Sequence, residues 1–140
     1  MFESWKEKRA EKKAKDKAIR ESQYWKTNEL LQNCLQSMRG SCTLAPVEMH
    51  EAAIAVVNIA MREGVWTGAE QVPAAFFDET IYLVWTDEKF PVLKAPWAVA
   101  RENLPQITAV TPESFLVSES LDRIIWFDGL GQIKLYSIAS

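Results

Sequence analysis

The chain holds a single histidine, His50, and Glu51 follows it. Together they open the H-E-x-x-H pattern, in which two histidines one helical turn apart hold zinc and the glutamate acts as base. Ile54 stands where the second histidine would be. A structural zinc site built on Cys34 and Cys42 would need carboxylates as well. Ser-His-Asp and Cys-His catalysis would both draw on that same histidine, and neither cysteine has an activating neighbour in sequence. Gly129-Leu130-Gly131 lacks the third glycine and the following helix of a dinucleotide loop. Neither a phosphate-binding G-x-x-x-x-G-K-Ser/Thr loop nor a G-x-Ser-x-G elbow occurs. The reading expects no metal, no cofactor, no small-molecule substrate and no enzymatic activity.

Carboxylates are what remain. Asp78/Glu79 and Asp87/Glu88 are adjacent pairs, while Asp122 and Asp128 stand apart. Two carboxyls can share acid–base work when their surroundings split their pKa values. All of these lie in expected turns, where solvated surface charge is the plainer role. The alternative is an acidic docking face, and Asp87, Glu88, Asp122 and Asp128 are its candidate residues.

Bulk charge supports that alternative. Residues 1–20 carry eight Lys/Arg against four Asp/Glu, net +4, and the other 120 residues are net −7. An acidic body steers basic partners toward it and repels nucleic acid. Phe2 and Trp5 in the basic arm could touch a membrane or a partner, and the arm is the basis of a second reading, a nucleic-acid- or membrane-associated accessory protein. Its interleaved glutamates weaken both targets. The longest apolar run, Ala52 to Val57, is far shorter than the ~20 residues of a membrane span. With no apolar segment behind the charged start, and with two cysteines outside any C-x-x-C read as free thiols, the expected compartment is the cytoplasm.

The pattern predicts two units, a basic helical arm over 1–20 and a single α+β domain over 21–140. One helix is expected from about 3 to 38, packed only in its second half through Tyr24, Leu31, Leu35 and Met38 and ended by Gly40. A central helix is expected from Val47 to Glu63, with a buried stripe of His50, Ile54, Val57 and Met61, closed by Gly64. Thr80 to Thr86 is β-branched and aromatic, the strongest strand. Phe90 to Leu93 reads as an edge strand. Trp97 to Leu104 reads as a short helix, although its alternation fits a strand almost as well. Ile107 to Val110 and Phe115 to Ser118 read as strands. Arg123–Phe127 and Gln132–Ile138 form a hairpin around Asp128-Gly129. The expected architecture is a mostly antiparallel sheet of about five strands with helices on one face.

Several of these segments also carry a resemblance. Ile81-Tyr82-Leu83-Val84-Trp85-Thr86-Asp87, Phe90-Pro91-Val92, Phe115-Leu116-Val117-Ser118, Ile124-Ile125-Trp126-Phe127 and Gly131-Gln132-Ile133-Lys134-Leu135 follow one another over about residues 80–138. Their layout is similar to that of small bacterial immunity proteins of toxin–immunity systems, including the contact-dependent growth inhibition type. The basic first helix departs from that layout. The resemblance implies a stoichiometric inhibitor that binds a cognate toxin domain, often a nuclease, through an acidic face.

Overall fold

A computed structural model describes residues 28–38, 40–85 and 90–138. The expected arm over 1–20, Tyr24, and the candidate residues Asp87 and Glu88 lie outside the described residues. Within them, helix α1 spans Glu29–Ser37 and helix α2 spans Val47–Glu63. Strands β1 (Thr43–Leu44) and β2 (Thr67–Ala69) flank α2. Strands β3 (Thr80–Trp85) and β4 (Leu93–Pro96) follow, then short helices α3 (Trp97–Glu102) and α4 (Leu104–Thr108). Strands β5 (Ser114–Ser118), β6 (Arg123–Phe127) and β7 (Ile133–Ser137) complete the order. All strands join one antiparallel sheet in the order β1-β4-β3-β5-β6-β7-β2. The fold is α+β, with seven strands rather than about five. The additional edge strands have only two and three residues, too short for alternation to register in sequence. No helix among the described residues is long and apolar enough to cross a membrane.

Helices cover both faces of the sheet, not one. Ile81, Leu83 and Trp85 of β3 point into a core with Leu31, Cys34 and Met38 of α1 and with Trp97, Ala100 and Ile107 of α3 and α4. Tyr82 and Val84 point the other way, into a core with Ala53, Val57 and Ala60 of α2. All five residues from Ile81 to Trp85 are buried, as is all of β5. Unbroken apolar runs of this kind mark strands covered on both sides, whereas a half-exposed strand alternates.

The local signals account for the helices. Asn28 caps α1, its Oδ1 accepting from the Leu31 amide at 3.0 Å. Pro46 precedes α2, and Gly64 ends it in the left-handed conformation. The buried face of α2 is His50, Ala53, Val57 and Ala60, while Met61 is exposed. The face is rotated from the expected stripe because alanines let the helix approach the sheet, where larger side chains would hold it away. Buried His50 accepts from the Val92 amide at Nδ1, 3.3 Å, joining α2 to the segment that leads into β4.

Two further expectations are corrected. β4 is an inner strand, paired with β3 on one side and β1 on the other. Its prolines lie outside the ladder's middle, Pro91 before the strand and Pro96 at its last position. Residues 107–110 are not a strand, because helix α4 runs to Thr108 with Pro105 in its first turn, a position proline tolerates. The apolar Ile107 that suggested a strand is instead the buried residue of this helix.

In the β6–β7 turn, Gly129 and Gly131 both have positive φ, +79° and +85°. They differ in surroundings. A Cβ on Gly129 would lie 2.5 Å from the Pro112 carbonyl oxygen, whereas one on Gly131 would meet nothing within 4 Å. Gly131→Ala should therefore cost only the left-handed backbone term, about 1–2 kcal/mol. Gly129→Ala should cost about 1–3 kcal/mol more, since backbone must move to make room. Urea denaturation midpoints of the two variants test this, and equal losses would contradict it.

Candidate functional site

The β5–β6 turn is built around one serine and one aspartate. The Ser118 hydroxyl accepts from the backbone amides of Asp122, at 3.1 Å, and Arg123, at 2.9 Å. It donates in turn to Asp122 Oδ1 at 2.9 Å, and the Ser120 hydroxyl donates to the same oxygen. The turn closes with Leu121 at φ +63°, a left-handed conformation rare for a side chain with a Cβ. The Leu121 amide is held by the Ser118 carbonyl at 2.9 Å. The hydroxyls of Ser120 and Ser118, followed by Asp122's own amide and the neighbouring Arg123 charge, hold the Asp122 carboxyl below its ordinary range.

The segment before β3 packs against this turn. Arg123 Nη1 donates to the Phe76 carbonyl at 2.8 Å, and Trp97 Nε1 donates to the Ala74 carbonyl at 2.8 Å. Phe77 meets the Trp97 ring edge-on, with centroids 5.0 Å apart. The Trp97 amide donates to Glu79, and the Glu119 amide to Thr80. Residues 76–80 are thereby fixed beside residues 118–123, and a cleft of about 670 Å³ lies between them. Asp78, Glu79, Glu119 and Asp122 line it, against the single guanidinium of Arg123. Lys94 stands 3.9 Å from Glu119 in an exposed pair that contributes little in water. Burial in the core beneath α2, and then the Glu119 charge, push the Tyr82 phenol up.

Asp122 and Asp128 are not brought together. They flank opposite ends of β6, roughly 20 Å apart at the ~3.4 Å rise of a strand. Asp128 is occupied by its own turn: Oδ1 accepts from the Leu130 amide at 2.8 Å and from Gln132 at 3.2 Å. Oδ2 lies 3.6 Å from Lys134. Those contacts, the Leu130 amide first, lower its carboxyl. Of the four candidate residues, then, Asp122 lies in the cleft and Asp128 braces a hairpin. Glu119 is not among the candidate residues, and Asp78/Glu79 stand in the sequence as a turn pair, solvated or able to share acid–base work, outside the four docking residues. Asp78 and Glu79 meet Asp122 because β3 pairs with β5 in the register Ile81 to Ser118, which no local sequence signal fixes, whereas Glu119 shares the β5–β6 turn with Asp122.

The cleft offers charge and hydrogen-bond acceptors rather than covalent chemistry. Among the described residues no group of three or more His, Cys, Asp or Glu is placed to hold a metal. Both cysteines are free thiols, and burial pushes Cys34 up to about 11 and Cys42 up to about 12. Neither is a thiolate nucleophile at neutral pH. No known protein-family model and no curated protein matches the chain.

A depressed carboxyl contributes stability that is complete above its unfolded pKa and is lost as pH falls through the lower folded value. Wild type should therefore exceed Asp122→Asn in stability at neutral pH, with the difference shrinking below the unfolded value near ~3.9. Denaturation of both proteins across an acid pH series measures this. A gap independent of pH would show that the serine clasp does not act through the ionised carboxylate.

Proposed function

We propose that this chain is a cytoplasmic protein-binding module of the immunity type, which neutralises a cognate toxin domain by forming a stoichiometric complex. The observation that carries the reading is the acidic cleft, where four carboxylates face one guanidinium on a braced backbone. A surface of this kind complements a toxin domain with a cationic active face, such as a nuclease whose basic groups otherwise hold phosphates. Nothing in the cleft has to react. Inhibition follows from occupying the partner's substrate surface, and the net −7 of residues 21–140 adds long-range steering. The layout over residues 80–138 points to the same class. Asp122 is the first residue of the contact, with Glu119, Asp78 and Glu79 around it.

The test is co-expression with the C-terminal domain of the protein encoded immediately upstream of this gene, scored by growth and by co-purification. Rescue with a 1:1 complex is expected. Reversing charge with Glu119→Lys and Asp78→Lys should then lower the association rate by about 10-fold or more and flatten its dependence on salt. A complex whose association and salt dependence are unchanged by these substitutions would reject the cleft as the contact. Absence of both rescue and complex would reject the immunity reading.

A further inference from the structure

His50 is the chain's single histidine, and it is only 4% exposed. The rest of the buried face of α2 is Ala53, Val57 and Ala60, so a hydrogen-bonding ring stands there among aliphatic side chains. Its Nδ1 accepts from the Val92 amide at 3.3 Å, and both residues are buried. The Val92 carbonyl in turn accepts from the Ala45 amide at 3.0 Å. The ladder continues with Leu44 opposite Leu93 and Thr43 opposite Lys94. Among the described residues β1 has no strand partner besides β4. His50 therefore stands at the root of a short chain of bonds. That chain joins the start of α2, the segment before β4 and the edge strand β1.

A backbone amide can only donate, so the ring nitrogen that faces it is unprotonated and the neutral ring carries its proton on Nε2. A second proton must then go to Nδ1. It turns the acceptor into a donor and leaves the Val92 N–H without a partner inside the core. A buried donor left unpaired is costly, and a buried imidazolium adds the cost of a desolvated charge. When the segment is open, the same ring takes up its proton near the ordinary histidine value, ~6.5. The closed arrangement is thus fully favoured above that pH. It loses ground below it, by up to about 10-fold per pH unit for one proton.

The sheet face beneath α2 carries few other titratable groups. β3 brings Tyr82, with Lys94 of β4 opposite it, and β7 brings Tyr136 and Lys134. β5 and β6 bring only Phe115, Val117, Ile124 and Trp126 to that face. On α2 itself Glu48 and Glu51 lie within one turn of the histidine. Side chains of these types change charge well above or well below neutral pH, and histidine alone changes it between them. We propose that His50 is a pH-sensitive latch. Neutral, it clamps the segment before β4, and with it β1, onto α2; protonated, it releases them, so this edge of the sheet loosens in mild acid. The latch does not depend on the immunity reading.

The test is NMR of the isotope-labelled full chain, in which a single histidine makes the imidazole signals unambiguous. Near neutral pH the ring should be the neutral tautomer with its proton on Nε2. The hydrogen-exchange protection factor of the Val92 amide should fall by about 10-fold between about pH 7.5 and 5.5, as one proton taken up near ~6.5 requires. His50→Asn places an amide oxygen where Nδ1 stands, an acceptor that does not titrate. That variant should keep Val92 protected and lose the pH dependence. The latch is overturned if Nδ1 carries the proton near neutral pH, or if Val92 protection is unchanged or rises on acidification. It is also overturned if the asparagine variant loses protection as fully as wild type. Should that variant not fold, the tautomer and the Val92 profile of the wild-type chain decide alone.

Discussion

The pairing of β3 with β5 is the constraint on which the rest of the molecule depends. These two strands are buried on both faces, so the chain must supply a covering layer on each side. Helix α2 covers one, through the small face of Ala53 and Ala60. Helices α1, α3 and α4 cover the other. The same pairing sets Ile81 opposite Ser118, and so carries residues 78–80 to the turn that holds Glu119 and Asp122. The acidic cleft follows from core packing. Its carboxylates sit where the two central strands leave the sheet, on backbone already fixed by the interior.

The turn itself shows how strongly its geometry is determined. Leu121 occupies a left-handed conformation that costs about 1 kcal/mol or more for a residue with a Cβ. Hydrogen bonds that the amides of Leu121, Asp122 and Arg123 donate to Ser118 offset that cost. Asp122 is therefore both part of the fold and a member of the charged cleft. Glu119 has no such second role in the turn's hydroxyl network, which makes it the better residue for probing binding apart from folding.

Much of this architecture was legible in the sequence. Helix α2 runs from Val47 to Glu63 with Gly64 beyond it, as the proline and glycine punctuation indicated. The β6–β7 hairpin and strands β3 and β5 follow from their apolar runs and from Asp128-Gly129. What was not legible depends on contacts distant in sequence. β1 and β2 exist because longer strands present edges for them to pair with. Residues 107–110 are equally apolar as helix or strand, and the packing of Ile107 against the sheet decides between them. For the candidate site, composition indicated acidic residues in turns but could not say which turns meet. Asp122, one of the acidic turn residues, lies in the cleft, Asp128 braces its own hairpin, and the β3–β5 register is what brings Asp78 and Glu79 to the turn of Glu119 and Asp122.

The central claim is that the surface formed by residues 76–80 and 118–123 is where a cationic partner docks. Hydrogen–deuterium exchange of the co-purified complex tests it most directly, by comparing each amide with that of the free protein. The account predicts new protection concentrated in 76–80 and 118–123, with the β6–β7 turn around Gly129 unchanged. Protection centred instead on that turn, or on residues 1–20, with 118–123 exchanging as in the free protein, would contradict it.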